Sequence, residues 1–437
     1  MSNLLPDKEL LPMNSKVNSF NHLEIGGCDA VDLANKYGTP LYIFDEFTLR
    51  NMCNQFKTEF MSRYENTTVL YASKAFINIA IGQIISEEGL GLDVVSGGEL
   101  FMAINAGIDL NEVYFHGNNK SAEELDFAVK NKIGRIVVDN FYELYKLNEI
   151  AGNVGSVQDI LIRVSPGIDP HTHKKTTTGI LDSKFGFSIE TGDALKAIEA
   201  AELLENLNFQ GVHFHLGSPI FELEPYAQAI KAVLSFTSSN NIEINEFSPG
   251  GGFAIGYVQD NLPPPVSAYA ETITNALIET CFDLGISPPR LVIEPGRSII
   301  GRSGVAIYSV GAIKDIPSIR KYVSLDGGMG DNVRPAMYDA KYSAVIANRV
   351  SDQPEELVSL AGKYCESGDI LIKDVMLPKL DPGDIVAIPS SGAYGPSMAS
   401  SYNLNPRPPM VMVLKGEVRL IRRKEEYQDY LMLDVIN

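Results

Sequence analysis

The feature that most limits what this chain can fold into is an eightfold alternation of two patterns between about residue 68 and residue 295. Short β-branched runs occur at Val69–Tyr71, Leu92–Val95, Val113–Phe115, Arg135–Val138, Ile160–Val164, Gly211–His215, Ile244–Phe247 and Leu291–Glu294. Between them lie stretches with helical periodicity, among them 77–88, 122–130, 141–150, 226–238 and 269–283. Strands that read as unbroken apolar runs are buried on both faces, and parallel neighbours need a crossover helix. Repeated βα units therefore fit a doubly wound sheet or an eight-stranded barrel, and eight units within about 230 residues favour the (β/α)8 barrel.

After Gly296 the texture changes. Helical periodicity becomes rare, and strand-like runs alternate with Gly/Pro punctuation, as at Gly304–Tyr308, Tyr322–Leu325, Ile370–Ile372, Asp384–Ile388 and Met410–Leu414. This pattern predicts a second, mostly β domain. A strand at Leu41–Phe44 and a helix over 45–61 precede the first βα unit. The expected division is 41–296 for the barrel, 297–437 for the C-terminal β domain, and 1–40 as a segment joining that β domain.

With 437 residues, 45% hydrophobic and 21% charged, the chain has ample apolar material for two cores. Its net charge of -19 argues against nucleic acid or an anionic membrane as partner. A local basic pocket remains compatible with that charge. Cys28, Cys53, Cys281 and Cys365 form no CxxC pair, which fits neither a zinc site nor a disulfide framework and suits a reducing, cytoplasmic location. The first residues, MSNLLPDKELLPMNSK, lack the apolar core of a signal peptide. No apolar run approaches the roughly 20 residues that span a bilayer.

In barrels of this kind functional residues sit at the C-terminal strand ends. Here the first strand ends in Tyr71-Ala72-Ser73-Lys74. A lysine there commonly does no more than snorkel to solvent. Two other strand ends supply what a cofactor on that lysine needs. Phe247-Ser248-Pro249-Gly250-Gly251-Gly252 exposes backbone N–H groups able to cradle a phosphate, although a glycine run is also an ordinary tight turn. As a dinucleotide fingerprint it is weak. Glu294-Pro295-Gly296-Arg297 sets a carboxylate at the last strand, a glycine permitting close approach, and an arginine whose alternative is a structural ion pair. His213 and His215, two apart on one strand, are expected on the same face with Ser218 nearby. No third metal ligand of suitable spacing is evident, so stacking on an aromatic cofactor suits them better than zinc.

Tyr71-Ala72-Ser73-Lys74-Ala75, Ser96-Gly97-Gly98-Glu99-Leu100, His116-Gly117-Asn118-Asn119-Lys120-Ser121, His213-Phe214-His215-Leu216-Gly217-Ser218, Gly250-Gly251-Gly252 and Glu294-Pro295-Gly296-Arg297 occur in that order. So ordered, the chain resembles the fold-type III pyridoxal-phosphate (PLP) decarboxylases, whose barrel is alanine racemase-like. Asp326-Gly327-Gly328-Met329, Arg334-Pro335-Ala336-Met337-Tyr338, Cys365-Glu366-Ser367-Gly368-Asp369 and Gly392-Ala393-Tyr394-Gly395 resemble the diaminopimelate branch, as do His171, His173, Thr178 and Ser183–Gly186. The likeness spans roughly residues 40 to 425.

The resemblance implies pyridoxal 5'-phosphate held on Lys74 as a Schiff base, with Glu294 pairing the pyridine nitrogen and His215 stacking on the ring. Ser218, the Gly250–Gly252 backbone and the backbone around Gly296 would hold the phosphate. It further implies that Arg297 and Arg334, with Tyr338, take a substrate carboxylate, that Glu366 takes the distal ammonium, and that Tyr394 contacts cofactor and substrate. A diamine substrate without a second carboxylate would leave those arginines without a partner. Cys365 would return a proton after decarboxylation, with Lys74 the alternative donor. The family pairs two subunits with shared sites, so a homodimer is implied. Ornithine, arginine or carboxynorspermidine decarboxylation is the sister reading, and a PLP-binding regulatory protein is the non-catalytic one. Two positions depart from the family pattern: Pro219 follows His-Leu-Gly-Ser in place of glutamine, and Lys363-Tyr364 replaces a glycine-proline pair before Cys365.

Overall fold

Eight parallel strands close on themselves in the first of two units that the chain forms. The computed structural model describes residues 5–169 and 182–435, so His171, His173 and Thr178 lie outside the described residues. One unit comprises Met52–Ala254 and Pro263–Ser298; the other comprises Met1–Asn51, Ile255–Leu262 and Ile299–Asn437.

The strands of the first unit are β1 (Thr67–Ala72), β2 (Gly91–Val94), β3 (Val113–Phe115), β4 (Arg135–Val138), β5 (Gln158–Ser165), β6 (Leu207–His213), β7 (Glu246–Gly250) and β8 (Arg290–Ile293). Each pairs in parallel with the next, and β8 pairs with β1 through Val292 and Thr68, which closes the barrel. A short strand, Phe187–Ser188, adds to β5 outside this ring. All eight sequence runs are therefore strands, and the expected (β/α)8 barrel is the fold.

The helices between them follow local rules. Ala122–Lys130 starts with a capping box in which Ser121 and Glu124 exchange side-chain and backbone bonds, and it buries Leu125, Ala128 and Val129. Gly97–Ala106 and Phe141–Val154 are capped by Ser96 and Asn140, and each stops at a left-handed glycine, Gly107 or Gly155. Leu70, Tyr114, Val137, Leu161 and Val292, from five different strands, pack as one buried cluster. Side chains thus fill this level of the barrel, and the strand ends are left for chemistry.

The second unit is built on a nine-stranded sheet in which seven strands run in the order Ile370–Leu377, Glu356–Ala361, Arg320–Leu325, Gly304–Ile316, Leu41–Asp45, Met410–Leu414, Glu417–Arg422, with Ile385–Ile388 pairing off Gly304–Ile316 and Val345–Ile346 pairing off Ile385–Ile388. Leu41–Asp45, expected to open the barrel domain at residue 41, belongs here instead. Its five residues are all buried, and it pairs with Gly304–Ile307 on one side and Met410–Val413 on the other. A strand buried on both faces and hydrogen-bonded on both edges fits any layered core, so its run of apolar residues alone could not place it. A small sheet of Lys16–Val17, Leu23–Ile25 and Cys28–Asp29 leads into helix Ala30–Tyr37, and Leu23, Ile25 and Ala30 share a core with Val305, Val411 and Val413.

Candidate active site

The C-terminal ends of the barrel strands gather buried charge. β1 ends at Ala72, and Lys74 follows in a single 3-10 turn, Ser73–Ala75. The Ala72 N–H donates to the Pro295 carbonyl at 3.1 Å, tying the end of β1 to the end of β8. A side chain at Gly296 would press on Ala72 at 3.0 Å, so glycine lets the two ends approach without displacing either. Lys74 is half-buried, and its Nζ stands 3.6 Å from a carboxylate oxygen of Asp93 on β2.

Asp93 is fully buried, and neither of its oxygens accepts a hydrogen bond among the described residues. Burial, opposed by Lys74 and reinforced by Glu294 and Glu99, pushes its carboxyl up to about 7. Glu99 lies beside it on the helix after β2. The Ser73 hydroxyl is 2.5 Å from Glu99 Oε2 and 2.6 Å from the Asp93 carbonyl, and the Val95 N–H donates to the same Glu99 oxygen.

Glu294, the residue after β8, is the second buried carboxylate. The Ser248 hydroxyl on β7 donates to its Oε1 at 2.8 Å, and His213 Nε2 lies 3.2 Å from its Oε2. His116 Nε2 lies 3.5 Å from Oε1, with the two imidazoles edge to face at 4.8 Å. Burial would push Glu294 up, yet His213, His116 and Lys74 hold it well below the usual carboxylate range. Burial also depresses both imidazoles, so near neutrality His213 serves Glu294 as a hydrogen-bond donor. The spacing of the sequence hid the third member of this group: His116, His213 and Glu294 present ligand atoms within 4.8 Å of one another.

His213 and His215 do not share a strand. β6 stops at His213, and the chain then turns through Gly217 at a φ of 146°. His213 points to Glu294, whereas the Nδ1 of half-buried His215 accepts from the Gly251 N–H at 3.3 Å. Its proton therefore resides on Nε2. Gly251 allows nothing larger than a hydrogen, since a Cβ there would lie 2.1 Å from the Glu294 carbonyl. Gly250 and Gly252 adopt positive φ, and a Cβ on them would meet the Phe214 and Gly217 carbonyls at 2.7 and 2.5 Å. Beside this glycine run an Arg297 guanidinium nitrogen approaches the Ser218 hydroxyl at 3.4 Å.

A pyridoxal phosphate needs a lysine amine, an anion for its ring nitrogen, donors for its phosphate and a flat neighbour. Lys74, buried Glu294, the side-chain-free Gly250–Gly252 backbone with Ser218, and His215 provide these, so the residues present fit the group. Sequence reasoning passed over Asp93, Ser248 and Arg163. Asp93 had a signal: a carboxylate inside the apolar run Leu92–Val95 cannot be accidental in a buried strand. Arg163 on β5 is also buried, 3.8 Å from Asp139 and stacked 4.4 Å over Phe185.

The remaining expected residues belong to the second unit. Arg334 opens the short helix Arg334–Tyr338 and is buried. Its Nη1 is hydrogen-bonded to the Tyr342 hydroxyl, and its guanidinium lies 4.4 Å over the Tyr257 ring. Tyr338, half-buried, ends the same helix. Cys365 and Glu366 are exposed in the hairpin 362–369, whose base is clamped by Asp369 accepting from the Met329 and Tyr364 N–H groups at 2.6 and 2.8 Å. Half-buried Tyr394 holds a left-handed backbone, φ 64°, before helix Gly395–Met398.

Residues 48–301 match the family described as pyridoxal-dependent decarboxylase, pyridoxal binding domain. The diaminopimelate decarboxylase of Bacillus subtilis is 45% identical over 425 residues, covering 96% of this chain and 97% of its own. The chain belongs to the diaminopimelate decarboxylase family. The enzyme of that name from Synechocystis is 42% identical, covering 99% of this chain and 94% of its own. Among solved structures, the diaminopimelate decarboxylase of M. jannaschii in complex with L-lysine superposes with a TM-score of 0.91 at 36% identity, covering 98% of this chain and 99% of that one.

Proposed function

We propose that this chain decarboxylates meso-2,6-diaminopimelate to L-lysine and carbon dioxide with pyridoxal phosphate on Lys74. When bound, the cofactor supplies an electron sink for the pair of electrons left as carbon dioxide departs. The protein supplies the rest. Lys74 would carry the cofactor, and the buried carboxyl of Asp93, 3.6 Å from its Nζ, would hold that amine in place. Glu294, which accepts from Ser248 and His213 and is held below the usual carboxylate range, would keep a proton on the ring nitrogen, and His215 would pack on the ring. Ser218, the Gly250–Gly252 backbone and the backbone at Gly296, with Arg297, bind the phosphate end. Tyr394 contacts both cofactor and substrate. Cys365, or Lys74 in its place, would return a proton to the carbon that loses its carboxylate.

The observation that carries the choice of substrate is Arg334. It is a buried cation, and among the described residues no carboxylate lies within ion-pair distance of it. A buried guanidinium without an anion is costly, and a substrate with a second carboxylate removes that cost. Arg334, with Tyr338 and Arg297, takes carboxylate; Glu366 takes the distal ammonium. A diamine-type substrate would bring only like charge to Arg334.

We further infer a homodimer with shared sites, which accounts for the exposure of Cys365 and Glu366. A reducing, cytoplasmic location accords with four cysteines that are all free and with no described helix being long and apolar enough to cross a membrane. The test is a substrate panel. Purified protein with cofactor should release lysine from meso-diaminopimelate far faster than it turns over ornithine, arginine or carboxynorspermidine, and Lys74→Ala should lose the visible Schiff-base band while staying folded. No lysine release would refute the reading.

A further inference from the structure

Arg334 is held in a setting that sequence patterns did not show. Its Cζ lies 4.4 Å from the centroid of the Tyr257 ring and 5.4 Å from that of Tyr342. The two rings stand 5.1 Å apart at 76° to each other, so they form an L-shaped wall against the guanidinium. Nη1 is taken up by the Tyr342 hydroxyl. Tyr342 is itself buried. The edge of the guanidinium formed by Nε and Nη2 has no acceptor among the described residues. Burial works against the charge on Arg334, yet the two tyrosines hold its basicity above the ordinary value.

We propose that Tyr342 and Tyr257 are positioning residues that make Arg334 a preformed receptor for the carboxylate the substrate keeps. The proposal rests on the reading that Arg334 binds that carboxylate. An arginine in water samples many rotamers and loses that freedom when it grips an anion. Here the Tyr257 ring holds the guanidinium over its face at 4.4 Å, and the Tyr342 hydroxyl takes up Nη1, so the fork keeps one orientation. The remaining edge then points its two N–H groups in parallel, the geometry that a carboxylate accepts bidentately. The wall contributes no negative charge, so the receptor stays cationic until a ligand arrives. A ligand with an ammonium but no carboxylate gains nothing from it. Tyr342 and Tyr257 therefore act on substrate choice, without touching the carbon that reacts.

The product makes this testable apart from turnover, because L-lysine retains the same carboxylate and cadaverine is lysine without it. In the cofactor-loaded enzyme, Tyr342→Phe keeps the ring and removes the hydroxyl. It is expected to raise KM for meso-diaminopimelate and the inhibition constant of L-lysine in parallel by about tenfold, about 1.4 kcal/mol. Turnover at saturation should stay within about twofold, as expected of uniform binding, and cadaverine inhibition should not move. Tyr257→Leu removes a ring face and should act in the same direction. Should Tyr342→Phe fail to fold, Tyr257→Leu decides alone. Unchanged lysine inhibition in folded Tyr342→Phe and Tyr257→Leu, while Arg334→Lys weakens it, would overturn the positioning role. An equal loss for cadaverine would overturn it as well, since only a general disturbance does that. If Arg334→Lys leaves both lysine and diaminopimelate unaffected, the carboxylate reading of Arg334 fails, and the proposal falls with it.

Discussion

Replacing Asp93 with asparagine should change how the stability of the cofactor-free protein depends on pH, with a sign set by the structure. Asp93 is fully buried, and its carboxyl is pushed up from an ordinary 3.8 to about 7, chiefly by desolvation. Between those values the native protein keeps this proton while the unfolded chain releases it. Stability from Asp93 is therefore fully present below about pH 3.8 and is lost as the pH rises toward 7. At 1.36 kcal/mol per unit, the loss approaches about 4 kcal/mol. Other groups titrate too. His116, His213 and His215 are depressed by burial, and they make the native state gain stability as the pH rises through the range where unfolded histidines lose their protons. Asp331 in the second unit is raised to about 7 and follows Asp93. The sign must therefore be read from a difference. Urea midpoints of wild type and Asp93→Asn, taken from pH 5 to pH 8 without cofactor, should show wild type losing about 2–3 kcal/mol relative to the variant over that interval. A difference that stays flat with pH would show that Asp93 is already ionised when folded, and the argument that burial outweighs Lys74 would be refuted.

Two further substitutions probe the two ends of the barrel. Gly251→Ala places a Cβ 2.1 Å from the Glu294 carbonyl; it should destabilise by about 1–3 kcal/mol and shrink the rise in melting temperature on adding pyridoxal phosphate, read by scanning calorimetry, and a full cofactor response would count against the crowding. Glu246→Gln turns an acceptor of Arg135, Arg290 and Tyr114 into a donor facing donors; it should cost about 3 kcal/mol, roughly 10 °C in melting temperature, while cofactor affinity measured by titration stays put.

The eight barrel strands were legible because each is a short β-branched run bounded by helical periodicity, and period alone separates the two. Leu41–Asp45 was not, since its partners lie some 260 residues and more away, at Gly304–Ile307 and Met410–Val413. Lys74, Glu294 and the glycine run were readable as residues of unusual type at strand ends. His215 was placed on the wrong element because a His-x-His spacing fits a strand, whereas β6 ends before the second imidazole. Tyr257 and Tyr342 left no trace: tyrosines in irregular segments have no period, and only the fold brings them onto Arg334.

Two buried carboxylates of the barrel, Glu246 and Asp93, have their charge met in opposite ways. Glu246 starts β7 at the N-terminal end. One of its oxygens accepts from Arg135 and Arg290, and the other accepts from Tyr114 at 2.9 Å. Its charge is matched and its lone pairs are used, as a structural plug requires. At the C-terminal end, Asp93 is equally buried, yet both of its oxygens and His116 Nε2 lack hydrogen bonds among the described residues. The ion pair to Lys74 is long, at 3.6 Å. Folding alone does not favour leaving such groups unmatched. Their presence at the strand ends marks this end of the barrel as shaped by something other than folding. Glu246 is thus matched by its partners, whereas burial raises the Asp93 carboxyl to about 7 with no hydrogen bond among the described residues to offset it.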